Sequence, residues 1–169
     1  MPRIPPTAAA AVAALAAALG FGATLAPAQE TAPALPEDWS AFDHINSLVI
    51  ADEESPLYGL HHFYIGETGR DVFLQQQGFP YPEGTTFVGA VYDVVSEGAQ
   101  HDEGAPAMIT LMVKDPAAEE TGGWRFAAYR PDGTLIEQDV AQTCFQCHTQ
   151  VEETDFVFSR PLGLVVSRP

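Results

Sequence analysis

TTFVGAVYDVV, residues 85–95, is the stretch whose reading sets the fold class. It is β-branched or aromatic along most of its length, the composition that suits a pleated, half-buried strand. Pro80-Tyr81-Pro82-Glu83-Gly84 supplies turn chemistry in front of it. Upstream, residues 60–65 (LHHFYI) read as a second strand. Residues 70–77 read as a short helix with Val72, Phe73 and Leu74 inward, closed by Gly78. Downstream, residues 96–106 are polar and contain Gly, which predicts a loop. Residues 107–114 (AMITLMVK) predict a strand, residues 116–121 a brief helical turn, and residues 124–130 (WRFAAYR) a strand ending in the hairpin-like Pro131-Asp132-Gly133. Farther out, Phe42, Ile45, Leu48 and Val49 fall at helical spacing behind Asp38 and Ser40, which predicts a helix over 40–50. Residues 141–150 predict a helix and 156–159 a last short strand or extended segment. The sum, roughly four strands and three short helices, is an α+β domain: a mostly antiparallel β-sheet packed with a few helices, the last of them carrying the CxxCH sequence discussed below.

Outside this body lies an N-terminal segment of a different kind. Arg3 is followed by a small, apolar run over 7–25 and then Ala26-Pro27-Ala28 before Gln29. A charged start, an apolar stretch and a small-x-small site form a secretory signal, with cleavage expected after Ala28. A retained membrane anchor is the competing reading. It needs about 20 strongly apolar residues, whereas this run is mostly Ala and Gly and is interrupted by Thr24. The expected organisation is a signal over 1–28, a flexible Ala/Pro/Thr/Glu-rich lead-in over 29–38 and one domain over 39–169. Export into the periplasm follows. The formal net charge of −16 excludes a nucleic-acid binder, which needs Lys and Arg for phosphates. It suits solubility or steering toward a basic partner.

The chain has two cysteines, in Cys144-Phe145-Gln146-Cys147-His148. An exported protein can join such a pair as a disulfide, but a bridge closing so short a loop stabilises little. A zinc site needs more N, S or O ligands, and no second Cys pair exists. A thioredoxin-type pair needs a βαβ setting. The histidine directly after the pair makes the sequence CxxCH, the attachment motif of c-type haem. Each thiol adds to one haem vinyl group, and the two intervening residues let both sulfurs reach one ring edge. His148 then swings beneath the iron as axial ligand. Cys144, Cys147 and His148 are therefore the expected binding residues for one haem c. One large cytochrome c class carries a distal Met after the motif, and here no Met follows His148. Another class is a four-helix bundle, which the strand-rich body does not fit.

Several elements occur together in order: LYGLHHFY at 57–64, Pro82-Glu83-Gly84-Thr85 entering a strand, Val113-Lys114-Asp115, Thr121-Gly122-Gly123-Trp124, the CxxCH motif, and DFVFS at 155–159. Jointly they resemble the cytochrome P-460 family, which includes the beta-type cytochromes c-prime, over residues 39–161. The resemblance implies an antiparallel sheet with helices, often in a homodimer, and a five-coordinate haem whose open side binds nitric oxide or a similar small ligand. Some members oxidise hydroxylamine and carry a lysine cross-linked to the haem. By position that lysine would fall near Gly89, yet residues 85–95 hold no lysine and Lys114 is the chain's only one. The carboxylate of those enzymes falls at Thr110. Both departures favour the ligand-binding branch.

His61 and His62 are the candidates for the distal side. On a strand they point to opposite faces, so one can face the haem as a hydrogen-bond donor, proton relay or sixth ligand. Both can equally be structural; the resemblance leans toward His61. It also implies a phenylalanine cap, for which Phe63 and Phe87 are candidates. Met108 and Met112 read as core. Arg125 and Arg130 suit either haem propionates or the surface. Three functions compete. The first is capture of a small diatomic or nitrogen-oxide ligand. The second is haem oxidoreductase chemistry on hydroxylamine or a related compound, with His61 or His62 as proton-transfer group. The third is electron transfer to a redox partner protein with both axial positions filled.

Overall fold

The computed structural model describes residues 32–161; the signal-like segment and its cleavage site lie outside them. Five strands form one antiparallel sheet in the order β1-β2-β3-β4-β5: β1 Asp43–Ile50, β2 Gly59–Ile65, β3 Thr86–Glu97, β4 Gln100–Lys114 and β5 Trp124–Tyr129. Helix α1, Arg70–Gln75, lies between β2 and β3, and α2, Gln146–His148, follows β5 within a longer helical stretch. The α+β expectation holds. No helix among the described residues is long and apolar enough to cross a membrane.

The sheet's alternation sorts side chains onto two faces. One face carries His61, Phe63 and Ile65 of β2, and opposite them Val91, Gly89 and Phe87 of β3. Met108, Thr110 and Met112 continue it on β4, and Ala128 and Phe126 on β5. Its core joins Ile45, Ile65, Phe73, Tyr81, Phe87, Met112, Trp124, Phe126 and Val157, and Cys144 and Phe145 pack against it. Of the three α1 residues expected inward, Phe73 is buried and Leu74 is exposed. The other face buries Val88, Leu111, Ala127 and Tyr129 beneath Leu35, Trp39 and Phe42. The Pro33 carbonyl accepts a hydrogen bond from the Tyr129 hydroxyl. The lead-in, expected to be flexible, is thus held on the sheet at Pro33 and Leu35.

Three local expectations are corrected. Residues 43–50 form an edge strand, not a helix: β1 pairs along β2 with a register shift between His44 and Asn46. The irregularity carries Ile45 into the core while leaving Leu48 and Val49 40% and 44% exposed, so the apparent helical spacing was not one buried stripe. Residues 96–106 are not a loop. β3 and β4 stay paired from Val94↔Glu103 to Glu97↔Gln100 and turn only at Gly98 and Ala99. This outer hairpin is held by backbone pairing, and its exposed polar side chains leave no apolar alternation to read. Of the two readings of residues 156–159, the strand does not form: they pair with no strand and follow a turn in which Asp155 and Phe156 both take left-handed backbone angles, φ 53° and 66°.

Candidate functional site

Residues 141–154 form an irregular helical stretch, broken by a kink at Val151 (φ −131°, ψ 40°). Its first turn is wide (Ala141–Phe145), the middle is α-helical and its end is a 3-10 turn (Thr149–Thr154). Asp139 opens it: its carboxylate accepts the backbone N–H groups of Ala141 and Gln142, at 3.1 and 3.2 Å. Phe145, Gln146 and His148 have right-handed helical angles. Cys144 therefore stands three and four residues before Cys147 and His148, a spacing that brings them to one helix side. The two thiols are not joined to each other. Cys144 is half-buried and its thiol is pushed up by burial, whereas Cys147 is exposed.

His148 is oriented by its Nδ1–H, which donates to the Phe156 carbonyl at 2.6 Å. Since a carbonyl only accepts, the proton is on Nδ1, and the lone pair of the neutral ring is on Nε2. Burial lowers the pKa of His148, partly offset by that bond, which favours the neutral ring. Its ring meets Phe126 of the sheet and the exposed Phe158, each at 5.2 Å between centroids.

On the sheet face that Cys144 and Phe145 pack against, a row of mostly small residues runs across four strands: Phe63, Gly89, Thr110 and Ala128. Gly89 is required there. A Cβ at this position would lie 2.4 Å from Thr110 Oγ1 and 3.1 Å from Phe63. Gly89→Ala is expected to destabilise the fold by about 1–3 kcal/mol through overpacking. Adding Thr110→Ala should recover most of the loss. Urea unfolding of the two variants checks this, and a silent Gly89→Ala would contradict it.

The sheet separates the two adjacent histidines. His61 shares the face of Phe63 and Gly89, is 3% exposed and donates from Nε2 to the Leu57 carbonyl at 2.7 Å. Its ring stacks on Phe63 at 5.8 Å. His62 lies on the opposite face, with Nε2 2.9 Å from Glu103 Oε2 and Nδ1 2.7 Å from Ser47 Oγ. Phe87 is buried against Phe73, Tyr81 and Trp124, and Met112 is buried in the same core. Arg125 lies on the other face and pairs with Asp115 at 2.5 Å, while Arg130 is exposed. Sequence reasoning named the motif and the candidates His61, His62, Phe63 and Phe87, with a lean toward His61. It missed the Phe156 carbonyl, a backbone group that no residue type announces.

Burial lowers the pKa of His61, partly offset by the Leu57 carbonyl. Below the unfolded value of about 6.5 the unfolded chain binds the proton and the folded one resists it. This part of the stability is therefore present above that pH and is lost as pH falls through the folded pKa. His61→Gln, which keeps a donor for Leu57, is expected to show a flatter fall in urea midpoint between pH 7.5 and 5 than the wild type. Parallel curves would count against it.

A sheet bearing a CxxCH helix, a neutral histidine with a carbonyl-fixed tautomer and an aromatic surround defines a haem-protein site. The donor set fits that group: thiols and imidazole on one helix side, with apolar rings about the imidazole. The Cytochrome P460 family model matches residues 36–159, and this chain belongs to that family. It is accordingly a haem-binding protein. No curated protein matches the chain.

Proposed function

We propose that this protein is an exported haem c protein of the periplasm that captures nitric oxide or a similar small ligand. Cys144 and Cys147 hold one haem through thioether bonds, and His148 Nε2 is the proximal ligand. When bound, the haem would supply an iron centre able to take a small ligand such as nitric oxide, with His148 as the protein's ligand to it. The observation that carries the reading is the commitment of the histidines. His148 Nδ1–H is bonded to Phe156, which leaves Nε2 for the metal. His61 keeps a free Nδ1 lone pair, but its ring is held by the Nε2–H bond to Leu57 and by stacking on Phe63, and His62 is turned to the other face of the sheet. His61 could close the sixth position only by leaving this packing, which favours an open distal position over an electron carrier with both positions filled.

Phe63 and Val91 border the row around Gly89 and make that side apolar, which favours neutral diatomics over anions. Gly89 stands opposite Thr110, so the pair that would hold an amine and a carboxylate in a hydroxylamine-oxidising enzyme holds neither. The acidic chain suits a basic redox partner able to restore the ferrous state, and a homodimer is the family's frequent arrangement. Ultraviolet–visible spectra of the purified protein, ferric and ferrous, with and without nitric oxide, test the reading. A high-spin ferrous spectrum that shifts with nitric oxide is expected. Low-spin spectra in both states, indifferent to the ligand, would sink it in favour of an electron carrier. The mature protein should begin at Gln29 by mass spectrometry.

A further inference from the structure

Beside the motif lies a buried ion pair that ligand capture leaves unexplained. Lys114 ends β4, and its Nζ donates to Asp155 Oδ1 at 2.7 Å and to the Gly122 carbonyl at 3.3 Å. It also stands 4.8 Å from the Trp124 ring centroid. Asp155 uses its other oxygen to accept the Tyr81 backbone N–H at 2.7 Å. Both side chains are nearly inaccessible, 6% and 8% exposed. Such a pair is weak as a source of stability, because desolvation of both charges offsets their attraction. What it fixes is more informative than what it contributes.

It fixes an unusual turn. Asp155 and Phe156 are consecutive non-glycine residues with φ of 53° and 66°, a conformation that persists only where surroundings over-determine it. The pair clamps the first residue. Gly122 seats the second: a Cβ on Gly122, itself at φ 66°, would lie 2.4 Å from the Phe156 ring. The carbonyl presented by this turn is the one that accepts His148 Nδ1–H.

We propose that Lys114 and Asp155 are positioning residues for His148. Their ion pair holds the left-handed turn, the turn aims the Phe156 carbonyl at Nδ1, and that bond sets the ring's tautomer, its orientation and the basicity of Nε2. The inference rests on the reading of His148 as the proximal ligand. A tight Nδ1–H···O=C bond makes the imidazole a stronger donor, which favours the ferric state. Loosening the turn therefore weakens donation without removing the ligand.

The test uses the haem-loaded protein with Asp155→Asn and with the pair Lys114→Met/Asp155→Asn. The second leaves no unpaired buried charge and guards against simple misfolding. In both, the ferrous iron–histidine stretching band in resonance Raman spectra is expected to move to lower frequency and the midpoint potential to rise. A merely structural staple would lower the urea midpoint and leave band and potential at wild-type values; that result in the folded double variant overturns the proposal. A wild-type spectrum unchanged by His148→Ala would overturn the ligand assignment itself, and the inference with it.

Discussion

Replacing Cys144 and Cys147 together by alanine is expected to leave a protein from which acidified acetone strips the haem. Its denatured chain should carry no haem mass, whereas the wild-type chain keeps one haem through both treatments. The expectation follows from bond type. On the proposed function, thioether links would survive denaturation, while coordination by His148, whose ring packs against Phe126 and Phe158, would last only as long as the fold. Each single variant should keep its haem through the remaining sulfur. His148→Ala should keep covalent haem but change its spectrum, because the ligand lost is not the tether. Mass spectrometry of the denatured chains reads all four cases. A wild-type chain that surrenders its haem to acetone would end the covalent assignment.

Trp124→Ala is expected to cost about 3–5 kcal/mol, in the range for emptying a large buried aromatic site. That is a large share of the roughly 5–15 kcal/mol that holds such a domain together. Trp124 is 0% exposed and meets Tyr81 and Phe87 at 5.8 and 6.0 Å between centroids, with Lys114 over its ring. The site cannot collapse easily, because β4 and the Asp155 turn fix its walls. Trp124→Phe is the control. The indole N–H has no hydrogen-bond partner among the described residues, so keeping an aromatic ring forfeits no bond and should cost clearly less. Urea midpoints of the two variants decide it, and equal losses would show that ring packing is not the source.

Strands β3 and β5 were legible because burial marks them, although β5 lies at the sheet's edge. β3 and β5 are enriched in β-branched, aromatic or small apolar residues and are buried along much of their length. β2 alternates more weakly, and its aromatic composition was enough. The edge strand β1 was not legible. Its apolar residues fall partly on solvent, and only pairing with β2 makes the segment extended. The outer part of the β3–β4 hairpin was hidden for a related reason: backbone hydrogen bonds do not depend on side-chain polarity.

At the site the division is similar. The spacing of Cys144, Cys147 and His148 is a local matter, settled by neighbouring residues on one helical stretch, and the sequence by itself determined it. It also determined that His61 and His62 must part, since adjacent strand residues point to opposite faces. Which of them shares the motif's face was decided by the register of β2 on β3 and by the packing of the C-terminal helical stretch on that face. The partner of His148 was decided by a turn with Asp155 and Phe156 both in the left-handed region, which a bulky residue such as Phe156 disfavours, held from 41 residues away by Lys114. Contacts between distant segments depend on how whole elements stack, and that information exists only once the chain has closed on itself.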